Sequence, residues 1–185
     1  MTASFFLLTI GFVLNAASAP TAAYSRRWGE KRGSLATFVL RNILGIPVWA
    51  AGFILAIRAP SRPLLAGSPA LKIVGLALLV GGGVIILAAL VTIRARAALP
   101  STRDALAQEG LYGRVRHPIH SGTFLEFAGL FLFRPTAAVA VASGLGVLWL
   151  LVQTFLEERD LRQRIPAYNE YMKRVPRFVP RLRAK

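Results

Sequence analysis

Five apolar runs limit what this chain can become more than any other feature: Ala3 to Ala19, Thr37 to Ile57 with Arg41 inside it, Ala70 to Ile93, Gly122 to Phe133, and Thr136 to Leu156. A helix needs roughly 20 apolar residues to cross a hydrocarbon core about 30 Å thick. The fourth run has only 12 residues and, at about 1.5 Å per residue, cannot cross alone. It ends at Arg134-Pro135, a turn signal. The fourth and fifth runs therefore read as a helical hairpin with a short or tilted first arm, which can begin earlier, inside the preceding motif. Ser68 and Pro69 mark the start of the third run as N-cap and first helical residue. Ala17-Ser18-Ala19 has the small-residue look of a cleavage site, but no Lys or Arg precedes the first run, so a span is expected rather than a cleaved signal. The whole chain, 185 residues at 55% hydrophobic and mean hydropathy +0.53, is too apolar for an ordinary soluble domain of this length. The expected fold is an all-α integral membrane protein of about five transmembrane helices, including the hairpin, with a cytosolic C-terminal helix.

The charge gives that fold a direction. The net charge is +15, from 23 Lys and Arg against 8 Asp and Glu, and the charges sit between and after the apolar runs. An anionic membrane surface is a simpler partner for them than nucleic acid, because no aromatic and basic platform accompanies them. With the amino terminus outside, the inner segments 20–36, 94–121 and 157–185 carry 18 of the 23 basic residues, and the outer segments 58–69 and 134–135 carry 3. That bias places the carboxyl terminus in the cytoplasm. There is no cysteine, which removes disulfides, thiolate metal sites and a cysteine nucleophile; no metal centre is expected. No repeat of 20–50 residues is present. Gly81, Gly82 and Gly83, and the pair Ala140 and Gly144, are the small residues expected to let spans approach closely.

The polar chemistry gathers in two places. Residues 110–122, GLYGRVRHPIHSG, hold both histidines of the chain, two arginines, a proline and several glycines at the inner end of the fourth run. Pro118 disfavours helical geometry at His117. A broken backbone at this depth is tolerated where protein or a water-filled cavity satisfies it, so the segment reads as a pocket wall, with a basic loop at lipid headgroups as the alternative. Residues 156–182 form the second cluster. Glu157 and Glu158 stand where the fifth run leaves the bilayer, able to pair with Arg159, Arg162 or Arg164 on a solvated face or to receive a cation or hydroxyls. Tyr168 and Tyr171 share a helix face and could be interface anchors. Glu126 lies within an apolar run, where an acid should face protein or water, on the same face as Gly122. Arg41 is a candidate partner for it.

Taken in order, Gly110-x-Tyr112, Arg116-His117-Pro118-x-x-x-Gly122, an apolar hairpin, Glu157-Glu158-x-x-Leu161, Tyr168-x-x-Tyr171 and Val175-Pro176-Arg177-Phe178-x-Pro180 resemble the isoprenylcysteine carboxyl methyltransferase family and its relatives, the phospholipid N-methyltransferases. The resemblance covers roughly residues 100–182. It departs from the family pattern at His120, where an aromatic residue is usual, and at Ile165-Pro166, where Phe-Gly is usual. The resemblance implies a small membrane enzyme that uses S-adenosyl-L-methionine without a Rossmann domain. The apolar runs place three amino-terminal transmembrane helices over 1–93, ahead of a catalytic region over 94–185 that holds the motifs, the two forming one structural unit. Carried across residue by residue, Tyr112, Arg116, His117, Pro118, Gly122, Glu157 and Glu158 are the implied cofactor contacts.

The expected activity is methyl transfer to a lipid-embedded or prenylated acceptor at the cytosolic face, foremost carboxyl O-methylation of an isoprenylcysteine-like substrate. Phospholipid N-methylation and a non-catalytic membrane scaffold are the alternatives. An ionised carboxylate needs no general base, whereas an amine does, and His120 and Glu126 are the candidate catalytic residues for that role.

Overall fold

The computed structural model describes residues 2–94 and 104–181. Residues 95–103 of the expected inner segment and residues 182–185 of the basic tail lie outside the described residues. The described chain is helical. Helix α1, Thr2–Ala17, breaks at Ser18 to Pro20 and bends by 61° into α2, Thr21–Trp28. Helices α3, Glu30–Phe38, and α4, Ile46–Arg58, are joined by a π-helical turn, Val39–Gly45, into one rod of 29 residues. Helix α5 is Pro69–Ile93, α6 is Pro118–Phe133, α7 is Ala137–Arg164 and α8 is Tyr168–Arg174, with a 3-10 turn at Gly110–Gly113 before α6.

The starts and stops follow their local chemistry. The Ser68 hydroxyl accepts from the Leu71 N–H at 3.2 Å, and Pro69 fills the first turn of α5, where its missing N–H costs nothing. Pro118 opens α6 in the same way, so that arm begins inside the glycine-rich motif, ahead of Gly122.

Three helices are long and apolar enough to cross a bilayer: Glu30–Arg58, Pro69–Ile93 and Ala137–Arg164. The bent pair α1–α2 makes a fourth if it counts as one span. Even with its earlier start, α6 has 16 residues and reaches about 24 Å, short of a full crossing. Large apolar side chains are exposed along α5 (Ile73, Val80, Val84, Leu87) and α7 (Leu148, Leu151, Phe155). Long apolar helices with apolar outer faces are compatible with a multi-pass membrane protein.

Two kinds of packing hold the helices. Around α1, α4, α6 and α7 the contacts are aromatic: Phe12 stacks on Trp149 with ring centres 4.6 Å apart, and Phe53 on Phe127 at 5.2 Å. Between α5 and α6 they are backbone to backbone. Gly75 faces Gly129 and Gly82 faces Gly122, so closely that a Cβ on Gly82 would stand 2.5 Å from the Gly122 carbonyl oxygen. The expected role of the triple glycine therefore falls on Gly82. Gly81 and Gly144 meet nothing within 4 Å, and Gly144 is not the packing residue expected of it.

The helices alternate in direction. At one end, the α4–α5 connection is tied to the α6–α7 turn by Leu64 N–H to the Pro135 carbonyl at 2.8 Å and Ala137 N–H to the Arg62 carbonyl at 2.9 Å. The opposite end holds the break after α1, the segment before α6, the polar half of α7, and α8. There Asp160 of α7 accepts from the Ala22 N–H at 2.7 Å, fixing α2 against α7.

Candidate functional site

The two polar clusters meet at that second end. The chain after α8 runs beside the start of α6: Arg116 N–H donates to the Pro176 carbonyl at 2.8 Å, His117 N–H to the Arg177 carbonyl at 3.0 Å, and the Ser121 hydroxyl to the Phe178 carbonyl at 2.8 Å. The broken backbone at His117 is thus satisfied by protein. The Tyr171 hydroxyl donates to the Tyr112 carbonyl at 2.5 Å. Tyr168 and Tyr171 are both buried, so neither is an interface anchor. Burial pushes the Tyr171 phenol up to about 12 and raises Tyr112 and Tyr168 as well, reinforced by the Glu157 charge at Tyr112 and the Glu158 charge at Tyr168. All three remain neutral hydroxyls at any physiological pH.

The adjacent carboxylates have different surroundings. Glu158, 4% exposed, receives Arg116 at 2.9 Å, Arg177 at 2.8 Å and the His117 Nε2 at 3.2 Å. Arg116 also donates through Nη1 to the Met172 and Val175 carbonyls at the end of α8. Glu158 therefore organises the structure behind the cavity. Glu157 points into it. Its Oε1 accepts from Gln153 Nε2 at 2.7 Å and from Arg41 Nη2 at 3.2 Å. Its Oε2 faces His117 Nδ1 at 4.0 Å and His120 Nε2 at 3.9 Å. Neither acid pairs with Arg159, Arg162 or Arg164 on its own helix; Arg164 bonds Asp160 and Asp104 instead. Arg41 is delivered by the π-helical turn, a local widening common at functional positions. Its Nε also holds Ser18 Oγ at 3.2 Å, so its carboxylate partner is Glu157 rather than Glu126.

These groups line a cavity of about 590 Å³, well within the range of small-molecule sites. Arg41, Tyr112, Arg116, His117, His120 and Glu157 form its polar part, and Ile46, Trp49, Ile86, Leu90 and Trp149 its apolar part. Glu126 lines it from α6, beside Gly82 and Gly83 of α5. Of the expected cofactor residues, Tyr112, Arg116, His117 and Glu157 reach the cavity, as do His120 and Glu126. Pro118, Gly122 and Glu158 lie behind its wall: Pro118 buried at the start of α6, Gly122 in the seam with α5, and Glu158 among its arginines.

The sequence reading passed over Gln153, Trp49 and Trp149. Gln153 carried a signal, being a polar residue one helical turn before Glu157 within an apolar run. The tryptophans carried none, since they count as apolar residues within their runs. Trp49, Trp149, Gln153 and Tyr168 line the cavity, and each has a buried polar atom, the two Nε1, Oε1 and the phenol hydroxyl, with no hydrogen-bond partner among the described residues. Buried groups of this kind are ordinarily satisfied. Comparison with protein-family models, with curated proteins and with solved structures finds no match for this chain.

Proposed function

We propose that the chain is an S-adenosyl-L-methionine-dependent methyltransferase acting on a lipid-embedded acceptor, most directly by carboxyl O-methylation of an isoprenylcysteine-like substrate. One observation carries this reading: Arg116 and His117 of the RHP segment and Glu157 of α7 line one cavity together with apolar side chains of α4, α5 and α7. A water-borne donor and a bilayer-borne acceptor need such a place to meet. The unpartnered Trp49, Trp149, Gln153 and Tyr168 groups fit a cofactor rich in hydrogen-bonding atoms. When bound, that cofactor supplies a sulfonium methyl group for in-line displacement. The chain supplies orientation and exclusion of water. Glu157 offers its Oε2 to a cation or to hydroxyls. Arg116 has most of its donors committed to Glu158 and to the α8 carbonyls, so recognition of a carboxylate falls to Arg41. Tyr112 closes one side as a neutral phenol.

In this reading all five arms cross the membrane, α6 as its short arm with local thinning of the bilayer. The amino terminus is outside. The cavity, α8 and most of the basic residues face the cytosol.

Glu126 favours phospholipid N-methylation as the second reading, because a cavity-facing carboxylate on α6 suits an amine better than an acid. Membranes containing the chain, given methyl-labelled S-adenosyl-L-methionine, distinguish the two. Carboxyl chemistry places label in base-labile esters, and amine chemistry places it in stable N-methyl headgroups. Loss of turnover in His120→Phe with cofactor binding intact supports the amine. Glu157→Ala and His117→Ala are each expected to lose labelling at least tenfold; unchanged labelling in both removes the assignment.

A further inference from the structure

The hydrogen bonds behind the two histidines fix which ring nitrogens face Glu157. Thr154 Oγ1 spends its proton on the Leu150 carbonyl at 2.7 Å, so at 2.8 Å it accepts from His120 Nδ1, which must carry the hydrogen. That leaves the lone pair of His120 on Nε2. The His117 Nε2 lies 3.2 Å from the Glu158 carboxylate, which only accepts, so in the neutral ring the lone pair of His117 is on Nδ1. Both lone-pair nitrogens face Glu157 Oε2, at 4.0 and 3.9 Å, and the rings lie nearly parallel. The other Glu157 oxygen is occupied by Gln153 and Arg41. Three acceptors thus converge with no proton assigned between them, their ligand atoms all within 4.8 Å of one another.

We infer that His117 Nδ1, His120 Nε2 and Glu157 Oε2 form a binding site for a divalent first-row transition metal of the Zn²⁺ class. Two imidazoles and a carboxylate are an established ligand set for such ions. Each histidine is oriented from behind by the kind of partner metal-bound histidines use, Glu158 for one and Thr154 for the other. A tetrahedral ion with bonds of about 2.0–2.2 Å holds its donors roughly 3.4 Å apart, so the two distances to Glu157 Oε2, 4.0 and 3.9 Å, must each shorten by about half an ångström and the two imidazole nitrogens must close to the same spacing. The remaining coordination positions open to the cavity, where they would hold an anionic oxygen or sulfur of a bound molecule. The inference concerns the same cavity as the proposed methyl transfer and adds a ligand to it.

The test uses the full chain in lipid nanodiscs, stripped with EDTA, loaded with Zn²⁺ or Co²⁺ and freed of unbound metal by gel filtration. Metal content and the visible Co²⁺ spectrum are the readouts. The expected result is one ion per chain, loss of retention in His120→Ala and Glu157→Gln, and affinity weakened about 10–100-fold in Thr154→Val, which keeps the side-chain shape but removes the oxygen behind His120. Retention no better than in Glu157→Gln overturns the inference. S-adenosyl-L-methionine binding is measured on the same protein, both stripped and metal-loaded. Metal held without cofactor affinity sustains the metal site and removes the methyltransferase reading. Cofactor bound by a chain that holds no metal overturns the metal site alone, and assigns the three lone pairs to an organic cation or water.

Discussion

Glu157 and Glu158 are neighbours in sequence with different work, and the difference was only half legible from the chain. That two acids at a membrane exit are unusual could be read directly. Which one faces the cavity could not, because that depends on residues far away: Arg116 and Arg177 close on Glu158, while Arg41 reaches Glu157 from a different helix. Removing one partner of a buried pair leaves an uncompensated charge and costs about 3–5 kcal/mol. Glu158→Ala, which strands the buried Arg116, is therefore expected to lower stability by that order in thermal unfolding of the detergent-solubilised protein. Glu157→Ala is expected to spare stability comparatively and to abolish methyl transfer. Equal effects of the two substitutions on unfolding would contradict the division. Tyr168 and Tyr171 teach the same lesson. Their spacing correctly put them on one helix face, but whether that face met lipid or protein was decided by the Tyr112 carbonyl across the fold.

The elements were easier to read where a single stretch decides them. The third run, its Ser68 cap and its Pro69 start all lie in one window and form as their chemistry dictates. The start of α6 within the motif was foreseen as an option, and Pro118 explains it. What the runs could not show was the partner of each helix. Of the three adjacent glycines, only Gly82 packs backbone against backbone, since a helix turns neighbouring residues to different faces. Gly82→Leu is expected to force α5 and α6 apart and destabilise the chain by about 1–3 kcal/mol or more. Gly81→Leu, at a position with nothing within 4 Å, should stay within about 0.5 kcal/mol of the parent. Paired unfolding measurements decide it, and equal losses would remove the seam. The π-helical turn around Arg41 was not legible at all, because it leaves the apolar pattern unbroken.

At the scale of the molecule, alternating helix directions gather most of the described Lys and Arg at the end that holds the cavity. The absence of native cysteine makes the proposed orientation directly measurable. Ser61→Cys should react with a membrane-impermeant thiol reagent on intact cells, and Lys173→Cys only after permeabilisation; the reverse pattern would invert the topology. The general architecture was readable because apolar run length is a one-dimensional property, whereas the cavity depends on side chains brought together from across the chain. The central claim is that this cavity holds S-adenosyl-L-methionine between the RHP segment and the Glu157 helix. Equilibrium binding of the labelled cofactor to the chain in nanodiscs tests it most directly. Saturable binding is expected, lost in His117→Ala and Glu157→Ala and retained in the exposed control Glu170→Ala. No saturable binding, or binding indifferent to His117 and Glu157, would contradict it.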